Sequence, residues 1–70
     1  MRFKVNDVVL IVHDDLFNGC EGVIVEAFDE VWGGSYLIDL YQGNERITQE
    51  EIDEYYIYFN DENLKLLRRG

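Results

Sequence analysis

The chain has little cysteine, no long hydrophobic run and, through most of its length, almost no positive charge. Its single cysteine, Cys20, cannot form an internal disulfide. A secreted domain of 70 residues usually carries several bridges, so a reducing compartment, the cytoplasm, is expected. No apolar stretch approaches the roughly 20 residues that span a bilayer. Met1-Arg2-Phe3-Lys4-Val5-Asn6-Asp7 lacks the apolar region and cleavage site of a signal peptide, and none is expected.

The scarcity of cations has the widest consequence. Residues 5–64 hold all 15 Asp and Glu residues but only one of the 6 Lys and Arg residues, Arg46. The other cations, Arg2, Lys4, Lys65, Arg68 and Arg69, sit at the two ends, and the formal net charge is −9. Such a surface repels nucleic acid and anionic lipid and attracts basic partners at long range. Acidity also aids solubility, but so lopsided a distribution costs stability through self-repulsion.

What is present is enough for one domain spanning residues 1–70, with a thin core and no room for a deep pocket. Apolar residues make up 47% of the chain and aromatic residues 14%, so a core can form without staples. After a turn at Lys4-Val5-Asn6-Asp7, the run Val8-Val9-Leu10-Ile11-Val12 is a strand. Its unbroken hydrophobicity predicts burial on both faces, or a strand bent around a small barrel. His13 to Gly19 reads as a loop closed by Asn18-Gly19, and Gly22 to Phe28 as the second strand. Asp29 to Ser35 is a connector whose Gly33-Gly34 pair marks the tight part of a hairpin. Tyr36 to Tyr41 is the third strand, ended by a turn at Gln42-Gly43-Asn44.

Residues 47–59 carry two signals. Thr48 and Glu51 form a capping box flanked by Ile47 and Ile52, and Ile52, Tyr55, Tyr56 and Phe59 recur at helical spacing. Yet Tyr55-Tyr56-Ile57-Tyr58-Phe59 is strongly strand-prone. The reading adopted is a short helix from Gln49 to about Glu54, then a strand over the aromatics. Asn60 to Asn63 is a turn with 3₁₀ character, and Leu64 to Leu67 the last strand. Five short strands in so few residues predict a small closed or nearly closed β-barrel.

The segment Val5 to Val12, a loop, then Phe17-Asn18-Gly19-Cys20-Glu21-Gly22-Val23-Ile24-Val25 resembles the KOW-type pattern of SH3-like barrels. Gly19 and Gly22 match its paired glycines, Ile24 its apolar position, and Asn6 stands where the first-turn glycine would be. Tyr58 to Leu67 is similar to the usual barrel ending. The resemblance covers residues 4–41 and 55–67, with 42–54 as an acidic insertion, and implies a five-stranded SH3-like barrel with a short helical insertion before the fourth strand. KOW-type domains that bind RNA or ribosomes usually carry basic residues around the glycines. Here Asn18, Cys20 and Glu21 stand there, with Asp14 and Asp15 just upstream.

No catalytic, metal or cofactor site is expected. His13, the one histidine, reads as a solvated strand-end residue, and Cys20 as a partly buried filler, rather than as a nucleophile pair. The carboxylate pairs do not follow a spaced calcium loop. Phe3, Phe17, Phe28, Phe59 and half the tyrosines are expected in the core, whereas Trp32 at a hairpin tip reads either as a binding anchor or as a cap. Partner binding is assigned to Asp14, Asp15, Asp29, Glu30, Trp32, Glu45, Glu50, Glu51, Asp53, Glu54, Asp61 and Glu62. Carboxylates on alternate strand residues, about 6.6 Å apart, could imitate a rail of phosphates.

In size and charge the chain is similar to small acidic regulators that bacteriophages make to take over a host. That likeness implies a DNA mimic acting in the host cytoplasm on a basic DNA-binding protein; pairing two acidic barrels in a homodimer could extend the charge rail. The alternatives are an SH3-like adaptor docking a peptide across its aromatic face, and a KOW-type RNA or ribosome binder using the five terminal cations.

Overall fold

A computed structural model describes residues 2–30, 33–47 and 58–70, the side chain of Glu30 excepted. The expected Gln49–Glu54 helix, the strand over Tyr55 to Ile57 and the placement of Trp32 lie outside the described residues. The protein is mainly β: β1 (Val8–Ile11), β2 (Glu21–Glu30), β3 (Gly33–Gln42), β4 (Glu45–Ile47), β5 (Tyr58–Asn60), a 3₁₀ turn (Asp61–Asn63) and β6 (Leu64–Arg68).

All pairings are antiparallel within one sheet of order β4-β3-β2-β1-β6, and β5 pairs with the other end of β3. The described residues thus form six strands rather than five, and the sheet they make does not close. Strand β5 reaches β6 through the 3₁₀ turn, with no ladder between them among the described residues. The added strand is β4, whose Glu45, Arg46 and Ile47 pair with Gln42, Tyr41 and Leu40 around the Gly43-Asn44 turn. Glu-Arg-Ile has no strong strand signature of its own. It is ordered as a strand by the free edge of β3.

Strand β1 alternates instead of burying both faces. Val9 and Ile11 are fully buried, while Val8 and Leu10 are half-covered on the outside. Its lead-in is the expected turn: the Asp7 amide donates to the Lys4 carbonyl at 3.0 Å, and Asn6 adopts φ 76°, the left-handed region asparagine tolerates. The loop after β1 returns at Gly19, with φ 91°, whose amide donates to the Ile11 carbonyl. Gly22 permits a close approach between strands, since a Cβ there would lie 2.3 Å from Cγ2 of Ile38.

The Gly33-Gly34 pair lies within β3 and not in a turn, because Glu30 pairs with Gly33 and Asp29 with Gly34. Strands β2 and β3 are therefore longer than the sequence suggests. A bulge interrupts their ladder: Ile24 faces Ile38, but Leu37 faces Glu26, leaving Val25 as the extra residue. The bulge reverses the parity of everything after it. Ala27 turns inward opposite Tyr36, and Phe28, expected in the core, turns outward and is 37% exposed.

The core comprises Phe3, Val9, Ile11, Ile24, Tyr36, Ile38, Leu40, Phe59 and Leu64, with Phe17 and Cys20 packed at its margin. Phe3 meets Tyr36 edge-on at 5.4 Å and Phe17 meets Phe59 edge-on at 6.3 Å. Such geometry contributes about 0.5–1.5 kcal/mol per pair beyond burial. Among the described residues no helix is long and apolar enough to cross a membrane.

Candidate functional site

The carboxylates divide into those spent on holding the fold and those left facing solvent. Four belong to the first group. Asp61 opens the 3₁₀ turn. Its Oδ2 accepts the Gly34 amide at 2.8 Å and its Oδ1 the Tyr36 hydroxyl at 2.6 Å. Burial pushes the Asp61 pKa up, but these hydrogen bonds and the Arg2 charge outweigh it and hold the group below its ordinary 3.8. The Tyr36 phenol is pushed above its ordinary value by its own burial and by the bond to Asp61.

Asp7 clasps the two ends of the chain. Its buried carboxylate accepts the Lys4 amide at 2.9 Å, the Gly70 amide at 3.2 Å and the Arg69 guanidinium at 2.8 Å. Burial again opposes ionisation, and the two amides and Arg69 overcome it, so its pKa is lowered. Asp14 folds the loop after β1 by accepting the amides of Leu16 and Phe17. Asp39 on β3 pairs with Arg46 on β4 at 2.8 Å, but both are well exposed, so the pair contributes little stability.

Six described carboxylates remain exposed: Asp15, Glu21, Glu26, Asp29, Glu45 and Glu62. Asp15 and Glu62 lie toward one rim. The Asn63 side-chain amide donates to the carbonyls of Val12 and His13, drawing the 3₁₀ turn against the loop that carries Asp14 and Asp15. Through Asp61 the same turn is bonded to Gly34, whose cross-strand partner is Asp29. Glu45 stands apart, at the start of β4.

The cations are segregated from these groups. Arg46 is committed to Asp39. The others belong to the N-terminal segment and to β6 with its extension, which the Asp7 clasp and the β1–β6 ladder bring side by side. Arg2 lies over the Phe3 ring at 5.8 Å.

Of the residues assigned to partner binding, Asp15, Asp29, Glu45 and Glu62 are exposed, whereas Asp14 and Asp61 spend their carboxylates internally. Glu30 ends β2 opposite Gly33. Trp32, Glu50, Glu51, Asp53 and Glu54 lie outside the described residues. No regular ladder of charge runs along β2. Its outward positions alternate Glu21, Val23, Glu26 and Phe28, which spaces the carboxylates by about 13 Å, twice the expected interval. The residues that sequence reasoning missed are Asp7, Tyr36 and Asn63. Besides local bonds from Lys4 to Asp7 and from Asn60 to Asn63, their partners lie 25 to 63 positions away, and no local pattern announces those.

His13 is exposed, takes φ 55° and offers its carbonyl to Asn63. Cys20 is a free thiol at the margin of the core. Among the described residues no three His, Cys, Asp or Glu side chains gather as metal ligands would. No protein-family model, curated protein or solved structure matches this chain.

Proposed function

We propose that the protein is an acidic ligand for the nucleic-acid-binding surface of a basic DNA-binding protein, and that it acts by keeping DNA off that surface. The supporting observation is charge segregation in three dimensions. Five of the 6 cations are confined to the adjoining chain ends, and the sixth is neutralised by Asp39, so the exposed carboxylates elsewhere stand uncompensated. A field of one sign speeds encounter with a basic groove and weakens as salt rises. The wide carboxylate spacing on β2 means that mimicry operates through the overall field rather than by copying phosphates one for one. In this reading the partner is a host protein, the protein is bacteriophage-encoded, and it works in the host cytoplasm.

The fold is read as an SH3-like barrel of the KOW type, with β4 and the segment after it as the insertion. Support comes from the β1–β6 pairing, the long β2–β3 hairpin and the 3₁₀ turn before the last strand. A second reading, an adaptor for an extended peptide, draws on one observation: Phe28 and Tyr58 pack together on the outer face at 6.0 Å, 37% and 50% exposed.

The test is capture from bacterial lysate on the immobilised protein, elution by a salt gradient and identification by mass spectrometry. The captured protein is then assayed for DNA binding by mobility shift. Recovery of a basic DNA-binding protein that elutes with salt and is displaced from DNA is the expected result. Retention at high salt of a partner lost on Phe28→Ala would overturn the mimic in favour of the adaptor. Recovery of ribosomes or RNA would point to the terminal cations.

A further inference from the structure

The outer face of the sheet around β1 differs from the rest of the molecule. Val8, Leu10 and Val23 form a half-buried aliphatic strip there. Arg68 and Lys65 flank it from β6, opposite Val8 and Leu10. On the other side stand Glu21, opposite Leu10, and Tyr41, opposite Glu21. A depression of about 270 Å³ runs across this face between Arg68 and Tyr41, with Val8, Val23 and Glu21 in its lining. The ion pairs among the described residues are Arg46–Asp39 and Arg69–Asp7, and neither Glu21 nor Arg68 takes part.

We propose that this face is a self-association surface, on which a second copy of the chain docks about a two-fold axis through the aliphatic strip. Its charges are self-complementary. Arg68 and Glu21 stand two strand spacings and two residues apart, roughly 12 Å, on opposite sides of the strip. A two-fold axis in the plane of the interface, along the perpendicular bisector of the Arg68–Glu21 line, sets Arg68 of each copy on Glu21 of the other and crosses the two aliphatic strips over one another, an isologous contact. Apart from Arg2, Lys4 and the Asp7-paired Arg69 at the chain ends, the exposed charges elsewhere among the described residues are carboxylates, and two like surfaces repel. On this face the free charges are of both signs, because Lys65 and Arg68 accompany Glu21 while Asp39 and Arg46 cancel. A protein of formal charge −9 therefore approaches its own copy most favourably here, and the acidic rim stays open for a basic partner. Glu21 is also one of the exposed carboxylates, but the inference rests on self-complementarity and its test reads the oligomeric state, so it does not depend on the proposed function.

Sedimentation equilibrium of the full chain, from low micromolar to near-millimolar protein, is expected to show a concentration-dependent dimer. Glu21→Arg and Arg68→Glu each remove both symmetric ion pairs and replace them with repulsion, weakening dimerisation about tenfold or more. The double variant E21R/R68E restores the pairs with reversed sign and returns the dimer toward the parent constant. Both sites are exposed, so the variants retain the parent circular dichroism. A monomer throughout, insensitivity to the single changes, or no rescue in the double variant would each overturn the proposal. Dilution-dependent NMR shifts of the parent protein give a check that needs no variant. Shifts centred on Val8, Leu10 and Val23 support the two-fold contact, and shifts centred elsewhere reject it.

Discussion

Replacing Asp61 with alanine removes the common acceptor of two donors that the fold has taken out of water. The Tyr36 ring is 0% exposed and the Gly34 backbone is buried, so both depend on that carboxylate. Each stranded donor costs about 1–3 kcal/mol. Asp61 is only half-buried, so water entering its vacated position offsets part of this, and the expected loss is about 2–4 kcal/mol. A 70-residue domain holds roughly 4–10 kcal/mol in total, so the change removes a large share of stability. The melting temperature should fall by about 10 °C or more. Tyr36→Phe alone removes one donor and costs about 1 kcal/mol. In the Asp61→Ala background the same change deletes a stranded hydroxyl and becomes neutral or stabilising, which makes the pair strongly non-additive. Urea denaturation followed by tyrosine fluorescence and circular dichroism on the four proteins measures this cycle. An Asp61→Ala protein within about 0.5 kcal/mol of the parent would refute the reasoning. So would an equal cost for Tyr36→Phe in both backgrounds.

Acid should unfold the protein through Asp7 and Asp61, whose folded pKa values lie below the ordinary 3.8. A lowered folded pKa contributes stability that is fully present above the unfolded value and is lost as pH falls through the folded one. Stability should therefore hold near neutrality and decline from about pH 4 downward, and Asp7→Asn should flatten that decline in a pH series of urea melts. At neutral pH the same variant weakens the clasp on Lys4, Arg69 and Gly70, costing about 1–3 kcal/mol. Ile24→Ala, at a fully buried central position, should cost about 2–5 kcal/mol, whereas Val25→Ala, one residue on at the exposed bulge, should stay within about 0.5 kcal/mol. Gly22→Ala drives a methyl into Ile38 and should destabilise by about 1–3 kcal/mol, measured by thermal melting.

Local signals carried much of the backbone plan. The β-branched runs at Val8–Ile11 and Val23–Val25, the aromatic and aliphatic run at Tyr36–Tyr41, and Asn6, Gly19 and Gly22 at the turns and close approach announce themselves through short-range sterics. The 3₁₀ turn and the last strand were legible for the same reason. The chain alone also determined the imbalance of charge, which is a count and needs no fold.

What only tertiary structure decided are the features that depend on pairing between distant residues. The bulge at Val25 exists because β3 offers Leu37 to Glu26, and it turned Phe28 out of the core that its hydrophobicity suggested. Strand β4 exists because β3 has an unfilled edge. Asp61 and Asp7 look in sequence like any other acidic surface residue, yet the fold brings Tyr36 to one and the C-terminal Arg69 and Gly70 to the other. A carboxylate's role depends on which donors reach it and how much water they displace, and those are properties of the assembled sheet rather than of neighbouring residues.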